Sequence, residues 1–296
     1  MDANPQVRGP VPVSAQGKRV LTDRPRTCSG TQGRLSDVRA SVGLARACHP
    51  EPTVAVTALA AALTSAVDGP TLTVAAAVLA GQLSVGWSND WIDADRDRTA
   101  GRTDKPIPAG LSAALVRTAA FSALAACVGL SALMGLAAGS AHLAAVAGAW
   151  LYNLGLKSTV WSFVPYAGSF GLLPSVITLA GPGHLAPAWA TAAGALLGVG
   201  AHGANVLPDL AADALTGVRG LPQRLGRIPT TVLSGAALLG ATQLLARGSE
   251  RLWLGIASLT VFGLGLTRPR TAFLSVLAVA ALDVGLLLAH SDRLKA

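Results

Sequence analysis

Residues 71–110 read TLTVAAAVLAGQLSVGWSNDWIDADRDRTAGRTDKPIPAG. The first nineteen carry no charge, whereas Asn89 to Gly110 holds five of the chain's fifteen acidic residues. An apolar run of eighteen residues spans roughly 27 Å as a helix, enough for the hydrocarbon core of a bilayer. If the helix continues into the acidic island, Asn89, Asp93 and Asp97 fall at i, i+4 and i+8 on one face. Asp90, three before Asp93, is close enough to share that face. Arg102 and Lys105 follow, then the helix-stopping Pro106 and Pro108. A row of carboxylates followed by cations suits a site for Mg²⁺ and, through it, a polyphosphate. Mg²⁺ is usually held by one or two carboxylates plus substrate phosphates, and the cations meet the remaining phosphate charge. The alternative is a solvated loop whose acids cap helices or pair with Arg96 and Arg98.

A second stretch repeats the pattern. Residues 205–226 read NVLPDLAADALTGVRGLPQRLG, with Asn205, Asp209 and Asp213 again at i, i+4 and i+8 and Arg219 and Arg224 behind them. Two ladders of the same order, each ending a long apolar segment, are a far more specific signal than one.

The surrounding composition sets the class. The 296 residues are 51% hydrophobic and only 13% charged, against about 25% charged in an ordinary soluble domain. Apolar runs recur along the chain and predict nine membrane helices near 52–68, 71–89, 111–137, 140–156, 159–180, 186–207, 229–247, 250–267 and 271–290. The expected fold is all-α, a polytopic membrane protein with nine transmembrane helices around a central cavity. The third span is long enough to be tilted or broken, which Gly129 and Gly135 would permit. Residues 1–45 mix Pro, Gly, Ser, Thr and Arg without periodicity and read as a disordered cytoplasmic tail; residues 46–296 form the transmembrane domain. The first apolar run begins only near Pro52, past the position of a cleavable signal peptide, so none is expected.

Charge placement orients the chain. With the tail in the cytoplasm, nineteen Lys and Arg fall on that side and four, Arg247, Arg251, Arg293 and Lys295, on the other, as the positive-inside bias requires. The net charge of +8 therefore follows membrane topology and does not point to nucleic acid. An even number of crossings separates spans two and six, so both acidic ladders emerge on one face and can share a ligand. Cys28, Cys48 and Cys127 are widely scattered and form no metal or disulfide signature.

These residues carry a family resemblance. NDxxDxxxD at Asn89, Asp90, Asp93 and Asp97, followed by the Arg–Lys–Pro stretch, resembles the first motif of the UbiA superfamily of intramembrane prenyltransferases. DxxxD at Asp209 and Asp213, with Gly217 and Pro222 to Gly226 behind it, resembles the second. YNLGLK, Tyr152 to Lys157, is similar to the family's Tyr-and-Lys loop element. The likeness covers about residues 44–290. It implies an isoprenyl diphosphate bound through two Mg²⁺ ions held by the two Asp motifs, inside a helical barrel open to lipid, with the prenyl group passed to an acceptor, most often an aromatic ring. Arg219 stands where the family commonly has Lys.

On that basis the expected catalytic residues are Asp93, Asp97, Asp209 and Asp213. The expected metal ligands are Asn89, Asp90, Asp93, Asp97, Asn205, Asp209 and Asp213, and Arg102, Lys105, Lys157 and Arg219 are expected at the diphosphate. An allylic diphosphate leaves only when its developing charge is matched, and the resulting carbocation must be kept from water. Lys157 reads equally well as a positive-inside anchor, and Asp283, inside span nine, as a functional acid or a partner for a neighbouring span. Gln82 and Ser84 could face the cavity or serve packing. His142, His184 and His202 lack metal-ligand spacing, although His202 could point inward. Trp87, Trp91, Tyr152, Trp161, Phe163, Tyr166 and Phe170 could line the cavity or anchor the interface.

The leading reading is Mg²⁺-dependent transfer of a prenyl group from an isoprenyl diphosphate to a small acceptor, an aromatic one favoured by class frequency, in the cell (inner) membrane with the Asp motifs cytoplasmic. The runner-up is a UbiA-type membrane terpene cyclase, ranked second because only 4% of the chain is aromatic. A transporter or non-catalytic scaffold ranks lower, since the ladders repeat in parallel on one face, whereas transporters use inverted repeats about the midplane.

Overall fold

A computed structural model of the chain describes residues 29–246, 258 and 269–295. The chain divides into two units, Met1–Val38 and Arg39–Ala296. Of the first, only the opening turns of one helix are described; residues 1–28, with Cys28, lie outside the described residues.

Among the described residues every regular element is helical. The long helices are α1 (Ser29–Ala47), α2 (Pro50–Ala66), α3 (Thr71–Ile92), α5 (Ala113–Ala132), α6 (Leu136–Leu154), α7 (Val164–Ala180), α8 (Ala188–Val206), α11 (Arg227–Ala246) and α12 (Pro269–Ala289). Short helices α4 (Ala94–Thr99), α9 (Leu210–Thr216) and α10 (Leu221–Leu225) cluster after the two acidic ladders. The long helices pack as successive neighbours: α2 on α3, α3 on α5 and α6, α6 on α7, α7 on α8, α8 on α11, and α11 on α12, which returns to α2.

The sequence explains these starts and stops. Pro50 and Pro52 open α2 where a backbone N–H would have no partner. Ser112 caps α5 by accepting the Leu115 N–H at 3.3 Å. Glycines let α7 and α8 touch through their backbones: a Cβ on Gly194 or Gly198 would come within 2.4 Å of the Phe170 carbonyl oxygen or 2.3 Å of the Tyr166 one, so only a residue without a side chain fits.

Helices stand at eight of the nine expected span positions. The other, 250–267, lies outside the described residues apart from Ser258, which is helical and buried. By length and composition α3, α5 and α11 can each cross a membrane, and α8 with α9 passes as a fourth but is bent by 74°. Large apolar side chains such as Leu72, Leu133, Leu136 and Leu185 stay exposed, as a hydrocarbon surrounding permits.

Several boundaries differ from expectation for local reasons. The third span does not run to residue 137: α5 stops at Ala132, and Gly135, at φ 85°, turns the chain into α6. Span five begins at Val164, after a 3-10 turn at Leu156–Ser158 and further turns. Residues 39–47, which overlap the end of the expected tail, are helical, and Leu44 and Ala47 pack with Ile107 and Val116. The Trp87 indole also donates to the Leu44 carbonyl at 2.9 Å.

Candidate diphosphate and metal site

Neither acidic ladder lies on one continuous helix. Helix α3 ends at Ile92 and α4 starts at Ala94, so Asp93 is both the last cap of one and the first cap of the next, at φ −83° and ψ −4°. In the second ladder Pro208, which has no N–H to give, falls in the break between α8 and α9. Asp209 then caps α9 at φ −93° and ψ −3°. Past each break the i, i+4 relation holds, the Asp97 N–H donating to the Asp93 carbonyl at 2.8 Å and the Asp213 N–H to the Asp209 carbonyl at 2.9 Å. Across the first break the Asp93 N–H still donates to the Asn89 carbonyl at 3.0 Å, whereas across the second the Asp209 N–H shifts to the Val206 carbonyl at 3.0 Å.

The first ladder is buried. Asp90, Asp93 and Asp97 are 3%, 6% and 4% exposed, and Asn89 is half-buried. Buried carboxylates need partners, and cations supply them. The Lys157 ammonium bonds Asp93 Oδ1. Arg96 holds Asp93 Oδ2 at 2.8 Å and reaches Asp97 at 3.9 Å. Asp90 turns to a different set, with His49 Nε2 at 3.1 Å and Lys105 Nζ at 3.2 Å. Asp90 and Asp93, three residues apart, thus bond different cations.

The second ladder is more open. The Asp209 side chain is 50% exposed, Asp213 is half-buried and Asn205 is exposed. Gln223 of α10 donates to Asp213 Oδ2 at 2.7 Å. Arg102, two hydrogen bonds into Asp104 at 3.0 and 2.9 Å, also points a nitrogen at Asp209 from 3.5 Å. Arg219 is exposed, and its carbonyl accepts from Arg224 Nε at 2.8 Å.

Electrostatics joins the two ladders. Burial pushes the Asp213 carboxyl above the usual carboxylate range, while the Gln223 hydrogen bond, Arg96 and Lys157 oppose the shift and Asp209 adds to it. Arg96 and Lys157 are the cations bonded to Asp93, so both ladders lie in one field. Burial raises Asp97 as well, against the pull of Lys105, Arg96 and Arg102. Lys157 is lowered by burial, in spite of Asp93, whereas Arg102 holds Asp104 below the ordinary range.

Among the described residues no three His, Cys, Asp or Glu side chains converge closely enough to enclose a metal by themselves. A hard divalent cation completed by phosphate oxygens needs only one or two carboxylates, and Asp93 with Asp97, or Asp209 with Asp213, offers that. The donor set fits a cation delivered with phosphate and does not fit an all-protein cage.

Other sequence candidates resolve locally. Ser84 donates to the Gly81 carbonyl at 2.8 Å and accepts the Trp150 indole N–H at 3.3 Å, a packing role. The Trp150 ring packs tilted against Phe121, and Phe121 meets Trp91 edge-to-face, with centroids 5.5 and 5.7 Å apart. Asp283 is wholly buried and pairs with Thr242 of α11 at 2.5 Å. His142 bonds Ser131 at 2.8 Å between α5 and α6, and His184 bonds the Leu185 carbonyl at 2.9 Å. His202 bonds Ser162 at 3.1 Å and lies against Tyr152 and Tyr166, whose rings are 5.3 Å apart. Sequence reasoning missed His49, Ser162 and Gln223. Gln223 lay inside the second motif and could have been noticed; His49 stands 41 residues from its partner and carried no local signal.

Comparison with known proteins fits this architecture. The model of the UbiA prenyltransferase family matches residues 52–291. No curated protein matches. Among solved structures, a UbiA homolog from Archaeoglobus fulgidus bound to GPP and Mg²⁺ superposes with a TM-score of 0.63 at 15% identity, covering 84% of this chain and 99% of that one. A digeranylgeranylglyceryl phosphate synthase structure gives 0.60 at 16% identity, over 86% and 97%. An apo UbiA homolog from Aeropyrum pernix K1 gives 0.56 at 20%, over 82% and 95%. At these identities the likeness is one of fold.

Proposed function

The chain belongs to the UbiA prenyltransferase family, and from that premise we propose that it transfers a prenyl group from an isoprenyl diphosphate to a small acceptor, an aromatic one by class frequency, inside a membrane and with Mg²⁺. The observation that carries this reading is the approach of the two ladders: Arg102 reaches from the first island to Asp209 at 3.5 Å, and Arg96 and Lys157, the cations bonded to Asp93, also oppose the rise that burial imposes on Asp213. The solved homologues bound to GPP or DMAPP with Mg²⁺ support the same assignment.

In this reading Asp93, Asp97, Asp209 and Asp213 hold the metal, with Asn89, Asp90 and Asn205 as further ligands or as hydrogen-bond partners that orient the carboxylates. When bound, Mg²⁺ neutralises phosphate charge and so lowers the barrier to C–O cleavage. The chain's own cations do the rest. Lys157 and Arg102, which pair with carboxylates in the structure, would meet the diphosphate, with Lys105 adding charge from the loop of Arg102 and Arg219 from the turn before α10. Tyr152 and Tyr166, whose rings lie 5.3 Å apart, are our candidates for the aromatic wall that would face an allylic cation, and the apolar helices would keep water from it. We take residues 46–296 as one domain of nine spans about a central cavity, with residues 1–45 and both ladders on the cytoplasmic side of the cell membrane.

The test is pyrophosphate release from farnesyl or geranylgeranyl diphosphate by the protein in lipid nanodiscs. Release that needs both Mg²⁺ and an acceptor from an aromatic panel supports transfer. Release with Mg²⁺ alone and a cyclised hydrocarbon product would assign the chain to terpene cyclisation, and no release under any condition would remove the enzyme reading.

A further inference from the structure

One buried hydroxyl ties the two ladders together. Ser162 lies in the turns before α7 and is 0% exposed. Its Oγ accepts the Leu221 N–H, at the start of α10, at 3.0 Å. The same oxygen stands 3.1 Å from His202 Nε2, one group donating to the other. His202 is 2% exposed, and the Tyr152 and Tyr166 rings at 5.8 and 5.0 Å fix its plane.

The two segments meeting at Ser162 each carry one half of the site. On one side, five residues before Ser162, Lys157 bonds Asp93 of the first ladder. On the other, Gln223, two residues past Leu221, bonds Asp213 of the second ladder. Their backbones touch as well: a Cβ on Gly220 would fall 2.4 Å from the Lys157 carbonyl oxygen and 3.0 Å from Ser162 Oγ. The Leu221 N–H is one of the first of its helix, without an intrahelical acceptor, so Ser162 satisfies a donor that water or another group would otherwise have to meet.

We propose that Ser162 and His202 form a latch that sets the spacing between the Lys157 turn and the Gln223 helix, and so between the two ladders. Both are positioning residues: His202 orients Ser162, Ser162 pins Leu221, and the pinned loops present Lys157 and Asp213 to one diphosphate. The latch rests on the proposed function for its consequence in catalysis, though not for its geometry. It predicts that loosening the hydroxyl impairs diphosphate binding more than the chemical step, since the ligands remain but their separation is no longer held.

The experiment compares the full chain in nanodiscs with Ser162→Ala, His202→Phe and His202→Gln. Hydrogen exchange is followed over residues 155–163 and 217–225, alongside KM and kcat for farnesyl diphosphate. Ser162→Ala should accelerate exchange in both segments together, by about tenfold for loss of one buried hydrogen bond, and raise KM about tenfold with a smaller change in kcat. His202→Phe should follow it, and His202→Gln, which keeps a side-chain N–H, should recover most of the loss. Gly220→Ala, whose Cβ would press on the Lys157 carbonyl and on Ser162 Oγ while leaving the hydroxyl in place, should force the loops apart with the same paired signature, and serves if Ser162→Ala does not fold. Exchange that rises in one segment only, or an unchanged KM in variants with loosened loops, would overturn the latch. If the wild type consumes no prenyl diphosphate at all, the proposed function fails, and the paired exchange alone then decides the latch.

Discussion

Asp93 and Asp209 adopt the same backbone conformation at equivalent junctions. Each caps a short helix just after a long apolar one, at φ −83°, ψ −4° and φ −93°, ψ −3°. This bridge region is sparsely populated and recurs at functional residues. The repeat seen in the sequence is thus a repeat of local geometry, and it gives the two carboxylates the same relation to the helix that follows. They differ in surroundings: Asp93 is buried between two cations, and Asp209 is half open.

That difference separates stability from catalysis. Asp93→Ala leaves the mostly buried Lys157 without its counter-ion and Arg96 with only the longer contact to Asp97, and should cost about 3 kcal/mol, whereas Asp209→Ala removes one long, exposed pair and should cost about 0–1 kcal/mol. Both should lower pyrophosphate release by about 10²-fold or more. Thermal unfolding in detergent and turnover in nanodiscs, measured on the same preparations, would contradict this if the two variants unfolded alike.

Lys157→Met keeps the length of the side chain and removes its charge. We expect KM for the prenyl diphosphate to rise about tenfold or more, from loss of a charge-assisted hydrogen bond, while Arg98→Met, which breaks only the exposed pair with Asp95, should leave it unchanged. Steady-state kinetics on the two variants checks the contrast.

Chelation should silence the reaction. EDTA is expected to abolish pyrophosphate release and added Mg²⁺ to restore it, with little change in circular dichroism, because the metal-free carboxylates already have protein partners. A collapse of helicity on chelation would contradict the fit to a phosphate-completed site.

The pH response has a definite sign. Burial raises Asp97 and Asp213, so the fold favours their protonated forms, and protons compete with the metal at higher pH than ordinary carboxylates would allow. Mg²⁺ affinity should fall as pH drops through that raised range. Metal-free stability should move the other way, because a raised acid contributes stability below its folded pKa that is lost as pH rises. Lys157, lowered by burial, should set an alkaline limit below the ordinary lysine range. Mg²⁺ titrations in the presence of farnesyl diphosphate, and melting curves of the metal-free protein, between about pH 4.5 and 9.5 would show both limbs.

What could be read in the chain beforehand divides by range. The apolar runs and the i, i+4 ladders are local patterns, and helices appear at the positions they mark wherever the chain is described. Breaks inside those patterns were also local: Gly135, read as a residue that would permit a break, turns the chain after α5, whereas Pro208 stood in the second ladder and went unread. The partnerships were another matter. His49 with Asp90, Arg102 with Asp209 and Ser162 with Leu221 join residues 41, 107 and 59 positions apart, and only tertiary packing brings them together. Composition also hid the helix through residues 39–47, whose order comes from packing Leu44 and Ala47 rather than from any periodic pattern.

The two ion pairs at Asp93 bear on the sequence of loading. With Lys157 and Arg96 already on both of its oxygens, the site is electrically quiet while the chain inserts and closes its ring, so assembly need not wait for magnesium. A bare cation approaching Asp93 would have to evict two positive groups and offer them nothing in return. A cation arriving on a diphosphate brings each of them a new anion. On the proposed function, metal and prenyl donor therefore enter as one body, and an idle protein has no reason to hoard magnesium.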